Sequence, residues 1–219
     1  IVGTNISDFK MINSKQYKFK IEMIISPVKN QVFQRNLGIN KSKNPLIIQS
    51  DDDVILNKNF IINLYKHFEK NKKIKKIVGA KILNSEKKIQ SFRWNKLYET
   101  NIILKFVFFV LNGFKKVEFM SILASGRIAP HLPLNMRKNN KKQLRNLEWL
   151  SSTICYNKKY VKKINLAGKY TNEKSYFEDV FFTHFNYLNG FNLVIDGSAV
   201  CYHETTNPTN LSTHLKTIT

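Results

Sequence analysis

The sequence predicts a single α/β domain with a mainly parallel, Rossmann-like central sheet. Three observations carry this. Short β-branched runs alternate with helical periodicity through the first half, three consecutive aspartates end one of those runs, and two further strand-like runs close the chain. A length of 219 residues with 42% hydrophobic side chains suffices for one sizeable core and excludes general disorder.

The chain opens on the β-like IVGTNI and returns to a β-branched run in KIEMIISP, closed by Pro27. Val32, Asn36 and Ile39 then recur at helical spacing over Gln31 to Asn40. Pro45 introduces LIIQS, an apolar run of the kind that a parallel strand buries on both faces. A helix is predicted from Asn59 to Lys70, with Ile61, Ile62, Leu64, Tyr65 and Phe68 inward and Asn57 as its cap; the strand-like IKKIVGAKIL follows. The stretch from Ser91 to Arg145 is less regular, and its end, RKNNKKQLR, reads as a loop. LEWLSSTICYN reads as a strand, KKYVKKI as a helix, and Glu178 to Asn189 as a helix closed by Gly190. FNLVID and AVCYHE read as two closing strands around a Gly197-Ser198 turn. No repeat or linker divides the chain, so residues 1–219 are expected to form one domain.

Thirty-six basic against fifteen acidic side chains give a net charge of +21, a field that favours anionic partners. Only five of the basic residues are Arg, whereas base readout favours the Arg fork, and acids in a cleft repel phosphate; no nucleic-acid partner is expected. The abundance of Lys, Ile and 26 Asn has the look of an AT-rich coding bias. Cys155 and Cys201 stand far apart without a CxxC pattern, which points to neither a disulfide framework nor a zinc site and suggests a reducing compartment. The sequons at Asn5, Asn40 and Asn210 are those an Asn-rich chain produces by chance. No secretory leader pattern opens the chain. Ile102 to Leu111, IILKFVFFVL, is about half the length of a spanning helix and contains Lys105. Two readings stay open for it: a segment lying in a membrane interface with Phe106, Phe108, Phe109 and Leu111 inserted, or a buried core helix or strand.

The sharpest chemical feature is Asp51-Asp52-Asp53, placed where LIIQS ends and the next helix has not begun. Carboxylates at the carboxyl end of a parallel strand line the crevice where α/β sheets bind ligands. Three adjacent acids repel one another, and a divalent cation between them relieves this; hard oxygen ligands suit Mg²⁺ or Mn²⁺. An Asp-rich helix start favoured by the macrodipole explains the run equally well. Glu178-Asp179 opens a helix after Tyr176-Phe177, where aromatic neighbours raise an acid's pKa toward that of a general base; an ordinary helix-start pair is the alternative. His203-Glu204 ends the last strand.

In order and spacing these pieces resemble the family 2 glycosyltransferases of the GT-A fold. QRNLGINKSKNPLIIQSDDDVILNKNFI is similar to the family stretch from an Arg-Asn-x-Gly helix to its metal-binding aspartates, and LEWLSSTICYNKKYV to its "wlsG" segment. YFEDVFFTHFNYLNGFNLVIDGSAVCYHE is similar to its ending, a Glu-Asp helix, a Gly turn, a strand and a terminal His. The resemblance implies that Asp51, Asp53 and His203 hold Mg²⁺ or Mn²⁺ on the donor diphosphate. It implies substrate contacts for Arg35, Asn36, Asp52, Trp149 and Glu178, and makes Asp179 the base that deprotonates the acceptor. It divides the domain into a nucleotide-sugar and metal half, residues 1–83, and an acceptor half with the Glu-Asp helix, residues 84–219. The family's first strand and helix would precede Ile1, so the chain is expected to be N-terminally truncated. Ser152 stands for the "wlsG" glycine, Phe181 and Phe185 for later acidic and Arg positions, and Asp8 is the acid nearest the usual base contact.

The expected function is thus an inverting, metal-dependent, hexosyltransferase-like glycosyltransferase. It would move a sugar from a nucleotide-diphosphate sugar to a saccharide or lipid-linked acceptor in cell-surface polysaccharide or glycolipid synthesis. The expected location is cytoplasmic, with peripheral contact at the inner face of an anionic plasma membrane. The alternatives are a catalytically inactive relative serving as a binding module and a basic nucleic-acid-binding domain.

Overall fold

The computed structural model describes residues 1–3, 18–69, 74–84, 98, 100–129, 143–151, 153–163 and 177–203. In chain order these form β1 (Val2–Gly3), β2 (Ile24–Ile25), α1 (Gln31–Lys41), β3 (Leu46–Gln49), β4 (Val54–Leu56), α2 (Phe60–Glu69) and β5 (Lys76–Asn84). There follow α3 (Ile102–Leu111), β6 (Gln143–Leu147), β7 (Ile154–Asn157), α4 (Glu178–Leu188) and β8 (Asn192–His203).

The α/β class holds, and the sheet is mixed. Its order is β3-β7-β5-β8-β4, with β6 also on β8, while β1 and β2 pair in a separate parallel ribbon. The longest ladder, β5 with β8, is parallel. Because β7 is antiparallel to both β3 and β5, the strands β3, β5 and β8 share one direction, and β4, β6 and β7 oppose it. The mainly parallel arrangement expected is therefore confined to that three-stranded framework. The opposing strands arise where the chain returns along an edge that still offers unpaired backbone donors and acceptors.

Strand alternation divides the core. Val78, Ala80 and Ile82 of β5 face α2, where they meet Phe60, Leu64 and Phe68 together with Cys155 and Cys201. Ile77 and Leu83 face the other way and join Leu150, Ile154, Tyr156, Val180, Phe182 and Leu193 under α4. Gly79 lies on this second face, where a Cβ would come 3.3 Å from a Leu150 methyl, a tight contact that would make that side chain give by a few tenths of an ångström. Each buried aliphatic or aromatic side chain contributes about 1.5–3 kcal/mol.

Several local expectations change. α2 buries Phe60, Leu64 and Phe68, a single stripe of residues four apart, and leaves Ile61, Ile62 and Tyr65 exposed; Asn57 contributes its carbonyl, not its side chain, to Phe60 N at 2.9 Å. KKYVKKI is not helical over its described part: Lys158–Tyr160 is a turn, pinned by Asn157 Oδ1 accepting from Lys159 N at 3.0 Å. Among its described residues LEWLSSTICYN is strand at Leu147, the last residue of β6, and over Ile154–Asn157. The end of RKNNKKQLR is not loop but β6, ordered by pairing with β8. The two closing strands are one, β8, since all nine β5 pairings run along it; Gly197, Ser198 and Ala199 form a bulge between Asp196 and Val200. At that bulge the outer edge of β8 changes partner, from β6 to β4.

Candidate functional site

The carboxyl ends of β3, β5 and β8 lie at one edge of the sheet, and the aspartate run crosses it. Residues 50–53 leave β3 at Gln49 and carry the chain to β4, on the far side of β8. Asp51 consequently stays on the side of α1 and α4, while Asp53 reaches β8.

Asn30 caps α1, its side chain accepting from Phe33 N at 3.0 Å, and Val32 and Ile39 bury one face of the helix. This aims Arg35 across the strand ends. Its Nη2 donates to Asp51 Oδ1 at 2.5 Å and its Nη1 to Glu178 Oε1, so one guanidinium spans two carboxylates from segments 16 and 143 positions away. The planar Arg fork can do this and a Lys point charge cannot. A narrow hollow of about 20 Å³, room for a single water, lies beside the clasp and is lined by Arg35, Asn36, Gln49, Glu178 and Phe182 among others.

At the start of α4, Phe177 takes φ 59°, a left-handed conformation that costs a non-glycine residue of order 1 kcal/mol and turns the acid pair toward α1. Glu178 is buried. Burial pushes its carboxyl up to about 7; Arg35 opposes the rise, and the neighbouring Asp179 adds to it. Burial also raises Asp179, against a hydrogen bond its Oδ1 accepts from Val180 N at 2.9 Å and the charge of Arg35. The helix is locked in place by Thr183, whose Oγ1 accepts from Leu150 N at 2.8 Å, and by Asn186, whose Oδ1 accepts from Lys162 N at 2.7 Å.

The expected metal trio is not assembled. Asp53 Oδ2 lies 3.2 Å from His203 Nε2, brought there by the β4–β8 register that pairs Val54 with His203, but Asp51 is engaged by Arg35 and Asp52 is exposed. No group of three acidic, His or Cys side chains suited to a metal occurs among the described residues. What remains is a two-donor pair. A carboxylate oxygen and an imidazole nitrogen at this separation suit neighbouring positions around a cation held at ~2.1 Å. His203 Nδ1 is buried without a partner among the described residues. With Nδ1 unpartnered, the 3.2 Å contact favours the tautomer in which Nε2–H donates to the Asp53 carboxylate, so a cation held by the pair would take the place of that proton.

Trp149 lies in the main core instead of the cleft, with its backbone N donating to Met120 O at 3.2 Å. Asp8, Ser152, Tyr176, Glu204 and Arg137 lie outside the described residues. Phe181 and Phe185 are on the exposed side of α4.

Two features escaped the sequence reading. Gln49, the last residue of β3, accepts from the buried Tyr156 hydroxyl at 3.0 Å and lines the hollow; its signal was a lone polar residue two places before Asp51. On the opposite face of the sheet, His67 Nε2 lies 2.7 Å from Asp196 Oδ2, while Ser198 donates to Asp196 Oδ1 through Oγ at 2.6 Å and N at 2.8 Å. Burial alone would raise the Asp196 carboxyl, but the bonds from His67 and Ser198 outweigh it and hold the group below its ordinary value. The dyad borders a cavity of about 310 Å³ lined also by Asn63, Lys66 and Gln143.

No protein-family model matches the chain, and no curated protein matches it as a relative.

Proposed function

We propose that the chain is an inverting glycosyltransferase that moves a sugar from a nucleotide-diphosphate sugar to an acceptor hydroxyl. The observation that carries this is the convergence of Arg35, Asp51 and the Glu178-Asp179 pair, from three distant segments, at the carboxyl ends of β3 and β8. Asp179 stands beside the clasp with a carboxyl raised toward the working range of a base.

In this reading the acceptor oxygen attacks the anomeric carbon as the bond from that carbon to the diphosphate oxygen breaks, and Asp179 takes the acceptor proton. Negative charge passes to the departing diphosphate. Arg35 would meet that charge by exchanging one of its two carboxylate partners for a diphosphate oxygen. A divalent cation held by Asp53 and His203 would supply further neutralisation of that leaving group. The acceptor class remains as expected, a saccharide or lipid-linked hydroxyl, in surface polysaccharide or glycolipid synthesis at the cytoplasmic side of a membrane.

A second reading, a catalytically inactive binding module, is favoured by one observation. Arg35 already neutralises Asp51 and Glu178, which leaves a closed ion cluster where an active cleft needs open charge. Incubating the chain with a panel of nucleotide sugars and simple acceptors, with Mn²⁺ or Mg²⁺, separates the two. Release of free nucleotide diphosphate supports transfer; saturable sugar binding with no release supports the module.

A further inference from the structure

We infer that the outer face of α3 (Ile102–Leu111) is a docking surface for an anionic lipid bilayer, on which the helix lies flat. The surface stands independently of any transfer chemistry. α3 is the one described helix with no buried residue, although nine of its ten side chains are apolar. It is well capped: the Asn101 side chain accepts from Leu104 N at 3.1 Å, and Asn112 N closes its far end on Phe108 O at 2.9 Å.

The helix has two apolar sides, and only one serves the fold. Leu104, Phe108 and Leu111 turn inward; Phe108 packs edge-on to Tyr98 at 5.2 Å, and with Leu111 it covers Val117, Leu123 and Ala129. Ile102, Ile103, Phe106, Val107, Phe109 and Val110 occupy the opposite arc of about 160° and face solvent. Phe114, 69% exposed, extends this arc by stacking edge-on to Phe109 at 5.8 Å. The interfacial reading of this run therefore holds a different set of residues than the sequence suggested: Phe106 and Phe109 face outward, whereas Phe108 and Leu111 do not.

Charge selects the occupant. Lys105 flanks the apolar arc, Lys115 and Lys116 follow it, and Lys116 shares its charge with Glu118 at 2.9 Å. Exposed Arg127 sits on a turn tied to the helix end, where Ser125 N donates to Leu111 O at 3.0 Å. Apolar side chains rimmed by cations match the acyl and headgroup layers of an anionic leaflet. A second copy of the chain would bring another +21 against the same face, which disfavours self-association through it. At about 15 Å long the helix is too short to span a bilayer, and among the described residues no helix is long and apolar enough to do so.

The test is co-sedimentation of the full chain with sucrose-loaded vesicles of equimolar phosphatidylglycerol and phosphatidylcholine, against phosphatidylcholine alone, at low and high salt. Binding is expected to the anionic vesicles and to weaken with salt. A Phe106→Ser, Val110→Ser double variant should bind about tenfold or more weakly with an unchanged melting temperature, because both side chains are exposed. If that variant melts lower, Ile103→Ser, at a 71% exposed position, takes its place. Absence of binding to anionic vesicles at low salt, or undiminished binding by a folded variant, overturns the proposal. So does a wild-type dimer in sedimentation velocity that the same substitutions dissociate, with no vesicle binding: the face then belongs to a second copy.

Discussion

Arg35 Nη2 lies 2.5 Å from Asp51 Oδ1, and the same guanidinium holds Glu178 through its other terminal nitrogen. All three side chains are largely shielded from solvent, so the charges interact in a medium of lower polarity than water. The clasp fastens α1 to the start of α4 and to the chain leaving β3.

Removing its centre should be costly. Arg35→Ala leaves two carboxylates facing one another without a cation, and the expected loss is about 3 kcal/mol in urea unfolding. Arg35→Lys should recover less than half of it, because a single ammonium cannot reach both acids in line. A Lys variant as stable as wild type would mean that the fork geometry contributes nothing.

Stability should fall as pH rises through neutrality. Glu178 ionises near 7 in the folded chain, against 4.5 for an ordinary Glu, so the folded state holds its proton more tightly. The resulting contribution is fully present below pH 4.5 and is lost as pH climbs to about 7. Relative to Glu178→Gln, the wild type should lose about 1–3 kcal/mol across that window. Parallel profiles for the two proteins would show that Glu178 does not titrate there.

Asp179→Asn keeps the oxygen that accepts from Val180 N and so should keep the fold. If Asp179 accepts the acceptor's proton, the transfer rate should drop by about 10² to 10⁴ while nucleotide-sugar affinity, by calorimetry, stays within about twofold. A normal rate would remove Asp179 from the chemistry.

Cation binding can be read without turnover. Mn²⁺ followed by electron paramagnetic resonance should bind the wild type, and Asp53→Asn and His203→Ala should each weaken it by about tenfold or more. Equal Mn²⁺ affinity in all three proteins would make the 3.2 Å contact between Asp53 and His203 an ordinary hydrogen bond.

The elements best read in advance are those whose signal is local. Val32 and Ile39 in α1, the LIIQ run of β3 and Gly190 after α4, at φ +81°, each express their structure within a few residues. The carboxylates could be located for the same reason: acids at strand and helix ends are visible in the chain itself. Their partners were harder to see. Arg35 and Glu178 lie 143 positions apart, and nothing near either residue specifies that their side chains meet.

By itself the sequence determined where α1, α2 and α4 lie, which runs are apolar, and that acids stand at the end of β3 and the start of α4, since these follow from propensity and periodicity over three or four residues. Only the tertiary structure decided that β8 is continuous, that Gln143–Leu147 and Val54–Leu56 are strands, and that Asp51 goes to Arg35 while Asp53 goes to His203. It also decided which arc of an almost wholly apolar α3 faces solvent. Such choices depend on backbone and side-chain groups distant in sequence finding one another, and a uniformly apolar helix or an edge-strand run carries no periodic mark of the partner it will meet.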